Sequence, residues 1–184
     1  MQANSRVKRV EVSAVVTRSG KTENLGTIAL WERRNPWLWG VFAVLAIALS
    51  LLLHSALGLL LGASLIVNTG RAIVTNRIKG AGTEPSFVAW GTGAGITAQT
   101  DTTLFTEGPE ARVAGTSTQQ TVTTANDTYQ VVGTISASAT RTVTNAGLFD
   151  AVTVGNLYAK SDFTGIVLPS AGDSIQFTFK VTYS

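Results

Sequence analysis

The chain has 184 residues, a formal net charge of +3 and only 14% charged residues, which bounds it to about one domain plus an appendage. It has no cysteine, which excludes disulfide bonds, thiolate catalysis and thiolate zinc sites. Its one histidine, His54, lies in an apolar stretch, where it is poorly placed for a Ser-His-Asp triad or a metal site.

Charge is divided unevenly along the chain. Residues 1–85 hold ten Lys/Arg and four Glu, which gives about +6, whereas residues 86–184 hold four Lys/Arg and seven Asp/Glu, which gives about −3. A basic segment beside an apolar run indicates contact with an anionic lipid surface or with nucleic acid, or charges that only orient and solubilise the segment. The acidic balance of the second part disfavours nucleic acid as a partner there.

The first predicted element is a β-hairpin over residues 6–31. Val10, Val12 and Ala14 alternate with polar residues, and RSGKTEN supplies a turn before the returning stretch LGTIALW. An isolated hairpin is only marginally stable, so we expect it to pack on the C-terminal domain, on a neighbouring molecule or on a headgroup surface. We assign residues 1–36 to this basic N-terminal segment.

An uncharged apolar run follows over residues 37–67. A bilayer core needs roughly 20 helical residues, so the run predicts an uncleaved transmembrane helix with length to spare. Trp37 and Trp39 fit the headgroup layer, and Arg33 and Arg34 lie just outside it. In a cellular membrane, the bases before the run predict that the N-terminus is inside and the C-terminal domain outside. A helix that is apolar all round also fits burial among protein subunits.

Small or polar residues recur at every fourth position of the run: Ala46, Ser50, His54, Gly58 and Gly62. On a helix they form a narrow ridge along which helices from several copies would pack. The alternative is that small residues in an Ala/Gly-rich anchor fall into register by chance. We expect His54 to pack or to hydrogen-bond rather than to relay protons.

From Gly70 onward the hydrophobic period becomes two, which predicts strands. The predicted strands are Arg71–Ile78, Ser86–Trp90, Ala111–Gly115, Gln120–Thr124, Thr128–Ala139, Arg141–Phe149, Leu157–Phe163 and Ser174–Tyr183. The last is the clearest, because apolar residues from Ile175 to Tyr183 alternate with polar ones. Gly155-Asn156 indicates a short hairpin. Such strands predict a mainly β fold, with an antiparallel jelly-roll or immunoglobulin-like β-sandwich over residues 68–184.

The β-part shows no motif for catalysis or metal binding. WGTGAGI (residues 90–96) lacks the spacing of a phosphate-binding loop and predicts a flexible turn. The acids lie mostly at predicted turns without calcium-loop spacing. A calcium site between loops and a carboxylate pair for glycoside hydrolysis stay open, but no pattern selects their residues. Most aromatic residues fall on strand positions, which is typical of a core. We expect no enzyme activity, no cofactor and no small-molecule substrate.

Six segments stand in order in the second half of the chain: FVAWGTGAG, TDTTLFTEGPEARVAGT, NDTYQVVGTI, VTNAGLFDA, GNLYAKSDF and AGDSIQFTFKVTYS. Together they resemble small structural proteins of tailed-phage virions, namely decoration, minor capsid or tail-fibre-associated proteins, over about residues 68–184. NAGLFD, followed by a short hairpin and an apolar last strand, is similar to a pattern of phage tail and fibre modules. The resemblance implies a non-enzymatic multimeric β-module without a cofactor. It does not account for the hairpin and the apolar run.

Taken together, these features predict a virion protein. Its partners would be other virion proteins, copies of itself, and either a lipid bilayer or a hydrophobic protein channel around the apolar run. The bilayer would belong to the virion or to the host envelope that the particle enters. The alternative is a bacterial single-pass membrane protein whose extracellular β-domain acts as an adhesin or binding module.

Overall fold

The computed structural model describes residues 7–18, 20–31 and 64–183. In chain order its elements are β1 (Val7–Arg18), β2 (Lys21–Trp31), β3 (Ser64–Ile66), α1 (Asn68–Ile78), β4 (Phe87–Gly91), β5 (Val113–Ala114), β6 (Thr116–Gln120), β7 (Thr128–Ser136), β8 (Arg141–Phe149), β9 (Leu157–Leu168) and β10 (Ser174–Tyr183).

These strands form two antiparallel sheets of five strands each. One sheet has the order β2-β1-β10-β7-β6 and the other has the order β3-β9-β8-β4-β5. Side chains from both sheets meet in one core; for example, the rings of Phe163 on β9 and Phe177 on β10 have their centroids 6.2 Å apart. The prediction of a mainly β fold with antiparallel strands is therefore confirmed.

The predicted N-terminal hairpin is confirmed, and the C-terminal domain is the partner on which it packs. β1 pairs with β10 from Val7 opposite Tyr183 to Thr17 opposite Ser174. Its alternating residues Val10, Val12, Ala14 and Val16 are buried in the shared core. The hairpin thus supplies two of the five strands of one sheet.

The second sheet is covered on both of its faces. Its outer face carries a small separate core made of Val67, Ala89, Leu104, Phe149 and Leu157, with the β4–β5 connection packed over it. Successive residues of β8 and β9 are therefore buried, rather than every second one, as in other sheets that are covered twice. This explains why the alternation in these two strands is weaker than in β10.

One predicted element is wrong, and another is wrong at its end. Residues 71–78, predicted as a strand, belong to α1, whose buried residues Gly70 and Ile73 are three positions apart, which is a helical spacing. The end of the predicted apolar helix is not helical either. Ser64–Ile66 is strand β3, which pairs with β9, and Ser64 Oγ lies 2.8 Å from Ser161 Oγ.

Two further strand boundaries differ from the predicted ones because an aspartate carboxylate holds a turn at each place. β6 ends at Gln120 instead of beginning there, since the Asp127 carboxylate accepts hydrogen bonds from the backbone N–H groups of residues 122–124. Gly155-Asn156 lies in the longer connection between β8 and β9, which Asp150 closes by accepting from the Asn156 N–H at 2.6 Å.

The remainder of the predicted apolar helix, residues 37–63, lies outside the described residues. Within the residues that are described, no helix has the length and apolar character needed to cross a bilayer.

The strand pairing shows how the two flanks of the apolar run are related to each other. β1, which precedes residues 32–63, pairs with β10, and β3, which follows them, pairs with β9. β2 and β3 are neighbouring edge strands of the two sheets. The strands on both sides of the apolar run, β1 and β3, therefore belong to one folded unit. The predicted orientation, with the N-terminus inside and the C-terminal domain outside, stays a prediction, and a single crossing within the run would separate strands that share one sheet.

Gly70 sets how closely α1 approaches β9, because a Cβ at this position would overlap the carbonyl oxygen of Tyr158. Gly70→Ala should lower the free energy of unfolding by about 1–3 kcal/mol, although alanine is the better helix former. The measurement is urea unfolding of the full chain. Thr75→Ala, on the exposed face of the same helix, is the control and should shift stability by less than about 0.5 kcal/mol. Equal effects of the two variants would contradict the close packing.

Candidate functional site

A groove with a volume of about 370 Å³ lies at one end of the two-sheet unit. It lies between α1, the connection that follows α1, and the ends of β7, β9 and β10. Its lining residues are Ile73, Val74, Arg77, Ile78, Glu84, Pro85, Tyr129, Tyr158 and Tyr183. The groove therefore has apolar walls and one charged side chain of each sign.

All three tyrosines of the chain line this groove. The hydroxyls of Tyr158 and Tyr183 are hydrogen-bonded at 2.7 Å, and the rings of Tyr129 and Tyr158 meet edge to face with centroids 6.4 Å apart. The Tyr129 hydroxyl lies 3.0 Å from Glu84 Oε1 and 2.9 Å from the Pro85 carbonyl oxygen, both of which are acceptors. Tyr129 thus ties the connection after α1 to one sheet, and the hydrogen bond between Tyr158 and Tyr183 joins the two sheets.

Burial raises the pKa of all three phenols above the ordinary value of 10.0. The Glu84 carboxylate raises the pKa of Tyr129 further, and the neighbouring Tyr183 does the same for Tyr158. For Tyr183, the hydrogen bond with Tyr158 opposes the effect of burial. The hydroxyls are therefore neutral at physiological pH and act as hydrogen-bonding groups rather than as bases.

The outer face of α1 beside the groove is basic. Arg71, Arg77 and Lys79 are exposed, and the helix has no acidic residue in its first turn. Arg77 donates to the Gly82 carbonyl oxygen at 3.0 Å. Ile78 is 82% exposed, so an apolar side chain stands among these charges on the rim of the groove. The α1 end of the molecule therefore presents basic side chains beside an exposed apolar one.

The other buried charges hold loops. Glu110 accepts hydrogen bonds from Trp90 Nε1 at 3.0 Å, Ser138 Oγ at 2.7 Å and Arg141 Nε at 3.1 Å. Burial alone would raise the pKa of Glu110, but the hydrogen bonds from Ser138 and Trp90 outweigh it and lower the pKa to about 2. Glu110 is therefore ionised at neutral pH and fastens its loop to the ends of β4 and β8.

A buried lysine fastens the same connection at a second point. The Lys160 side chain is fully buried on β9, and its Nζ donates to Asp101 Oδ2 at 2.9 Å and to the Thr103 carbonyl oxygen at 3.1 Å. Nζ also lies 3.1 Å from the centroid of the Phe105 ring, a cation–π contact. Because the charge is paired and hydrogen-bonded, its burial is accounted for by loop attachment.

The NAGLFD segment, residues 145–150, has structural roles at its two ends. Asn145 is fully buried; its amide donates to the carbonyl oxygens of Gly93 and Phe105 at 3.1 Å and accepts from the Phe105 N–H at 3.1 Å. A Cβ at Gly93 would collide with Phe105, so this glycine permits a close approach. The turn over residues 90–96, which the sequence predicted to be flexible, is therefore held by hydrogen bonding to Asn145. At the other end, Asp150 closes the β8–β9 connection.

The site residues predicted for anchoring and helix packing lie outside the described residues. They are Arg33, Arg34, Trp37, Trp39, Ala46, Ser50, His54, Gly58 and Gly62. In the described part of the chain, no group of three or more His, Asp or Glu side chains is placed to hold a metal ion.

The groove was missed because its residues come from distant parts of the sequence. Tyr129, Tyr158 and Tyr183 fall on strand positions and were predicted as core residues, which holds fully for the buried Tyr158. The only local sign of a surface site was the cluster of bases in Arg71–Lys79, which includes Ile78. The prediction of a strand over these residues gave no reason to place the bases on one surface.

No protein family, curated protein or solved structure matches this chain.

The groove phenols make a prediction for alkaline pH. A raised pKa in the folded state contributes stability that is complete below the unfolded value of about 10 and is lost as pH rises above it. A tyrosinate absorbance titration of the native chain should therefore show no ionisation near pH 10, and ionisation should coincide with loss of the folded circular-dichroism signal. The chain in denaturant, as the control, should titrate near 10. A native phase near pH 10 would contradict the buried phenol cluster.

Proposed function

We propose that this chain is a non-enzymatic structural protein of a tailed-phage virion, such as a decoration, minor capsid, tail or spike component. Its β-module would bind virion neighbours, and its apolar run would fix it in a membrane or in a hydrophobic channel of the particle. The observation that carries the proposal is the insertion of the apolar run between β2 and β3, two neighbouring edge strands of one folded unit.

The roles of the buried polar groups support the proposal of a structural protein. Two ion pairs hold connections against the sheets, namely Glu110 with Arg141 and Lys160 with Asp101. Arg112 makes a bidentate pair with Glu107 at 2.7 and 3.0 Å and lies over the Phe149 ring. These contacts stiffen a surface made of loops, which suits a module that works through fixed contacts with its neighbours.

The edge opposite β2 and β3 supports assembly. β6 is the last strand of its sheet, and residues 116–124 contain no charged residue and no proline. Charged residues and proline on an edge strand hinder its pairing with another chain, so an edge strand without them is suited to such pairing. We assign the fold to the β-sandwich class and place contacts with neighbouring subunits, or with further copies, on this β5–β6 side.

The apolar run would act as an insertion that enters and returns on one side. Its part beyond the described residues, 37–63, has 27 uncharged residues. Two helical crossings would need roughly 40 residues, and one crossing would separate flanks that share a fold. Insertion into one side of a bilayer, or into a channel formed by several copies, fits both constraints. Arg33 and Arg34 would then lie at the surface, with Gly58 and Gly62 available for close helix packing.

The bacterial single-pass protein is disfavoured by the same pairing. That protein would have its N-terminal hairpin in the cytoplasm and its β-domain outside, whereas β1 and β10 are hydrogen-bonded neighbours.

The experiment that tests the proposal is quantitative detection of the chain in phage particles. Particles from a lysate of the host that carries the gene are banded by density and probed with an antibody to this chain. We expect the chain to co-band with capsid protein at a constant ratio across the peak. Recovery from the host envelope alone, with none in the particle peak, would contradict the proposal.

A labelling control separates the two membrane arrangements. Since the native chain has no cysteine, Lys21→Cys and Ala171→Cys each introduce a unique exposed thiol, one in the hairpin turn and one in the β9–β10 turn. In sealed vesicles a membrane-impermeant maleimide should label both to the same extent. Labelling of only one of them would restore the single-pass arrangement.

A further inference from the structure

We infer that Lys160 and Asp101 join covalently, through an amide bond between Nζ of the lysine and the side-chain carboxyl carbon of the aspartate. The bond fastens the β4–β5 connection to β9 in a chain that has no cysteine with which to form a disulfide. This modification goes beyond the proposed function and does not depend on it, because it follows from the geometry of the two side chains and their surroundings.

The two reacting groups are in contact, although they are 59 positions apart in the sequence. Lys160 Nζ lies 2.9 Å from Asp101 Oδ2. The Lys160 side chain has no exposed area, whereas 19% of the Asp101 side chain is exposed. The amine is thus held against the carboxyl group away from bulk water, and the aspartate side leaves a path for a departing water molecule. Groups that a fold holds in reactive contact can have effective molarities of about 10⁵–10⁸ M.

Three partners fix the direction of Nζ. Besides its hydrogen bond to Asp101, Nζ donates to the Thr103 carbonyl oxygen at 3.1 Å and lies 3.1 Å from the centroid of the Phe105 ring. Once one proton has passed from Nζ to Asp101, two N–H bonds remain for Thr103 and the ring. The lone pair of the neutral amine then points at the carboxyl group, and the neutral amine is the nucleophilic form.

The Asp101 carboxyl group is also held from the loop side. Its Oδ2 accepts a hydrogen bond from the Ala98 N–H at 3.1 Å, and the neighbouring Thr97 N–H donates to Asp162 Oδ1 at 2.9 Å. Asp162 is two residues beyond Lys160, on the same face of β9. Two carboxylates bound to consecutive amide groups therefore align the loop with the strand. The Ala98 N–H is placed to stabilise the charge that develops on Oδ2 during attack.

The step is a condensation that needs no further reactant. The neutral amine attacks the carboxyl carbon Cγ of Asp101, so that a C–N bond forms and a C–O bond breaks. Both protons that the lysine ammonium loses end on the departing oxygen, which leaves as one water molecule, while the other oxygen stays as the amide carbonyl oxygen. The ion pair and the amide are each neutral overall, so no uncompensated charge is left in the buried site.

The test is mass spectrometry of the intact full chain after it has folded and has then been denatured. We expect its mass to be lower than the sequence mass by one water molecule. Trypsin should release a branched peptide that joins residues 80–112 to residues 142–180, because trypsin does not cleave after a lysine whose side chain is in amide linkage. Chain that is collected unfolded and never refolded is the control. It should have the full mass, since only the fold brings the two residues together.

Two variants separate the amide bond from the ion pair. Lys160→Arg keeps the positive charge, but its guanidinium stays protonated and is not a nucleophile, so this variant should have the full mass and should be cleaved after residue 160. Lys180→Met removes a lysine of β10 and is the matched control, which should still lose one water molecule.

Two results would overturn the inference. One is a folded chain at the full mass, with residues 142–160 recovered as a separate peptide. The other is loss of water confined to a linear peptide of residues 80–112, which would indicate a cyclic imide at Asp101 in place of the cross-link. Neither result would bear on the virion proposal, because that proposal is tested by recovery of the chain in phage particles.

Discussion

The pairing of β1 with β10 is the interaction on which the rest of the structure depends. It joins the first described residues of the chain to the last, across the whole length of both strands, and buries Val10, Val12 and Val16 against the second sheet. Without this pairing the hairpin would be marginal alone, and β10 would lose one of its two hydrogen-bonded neighbours. Together with the pairing of β3 with β9, it places the strands before and after the apolar run in one folded unit.

The second sheet shows how the chain builds a rigid surface without disulfides. Its outer face is covered by the β4–β5 connection, which has few apolar residues with which to bury itself. Buried polar groups provide the attachment instead: Asn145 holds the connection near its start, Lys160 holds it in the middle, and Glu110 holds it near its end. Each of these groups has its hydrogen-bonding partners, so desolvation is compensated. The result is a loop-covered face fixed in one conformation.

Much of the fold was predictable from sequence period and turn chemistry. The clean alternation of β1 and β10 identified those strands, because each has one buried face and one more accessible face. The failures have a common origin in tertiary context. Residues 71–78 have a β-branched, strand-like composition, but contact with β9 through Gly70 selects the helix, and β3 is recruited from the apolar run by pairing with β9. The tyrosine groove was not predictable, because no local pattern brings together Tyr129, Tyr158 and Tyr183, which lie on three different strands.

The most direct measurement is disulfide trapping of the β1–β10 register. Ser13 and Thr178 are opposite each other, and directly paired residues of antiparallel strands are close enough for a disulfide. Ser13→Cys/Thr178→Cys should form an intramolecular bond on mild oxidation, seen as a non-reducing gel shift of the monomer. Ser13→Cys/Thr134→Cys, with β10 between its two positions, should form none. Failure of the first pair to close, or closure only between molecules, would contradict the shared sheet.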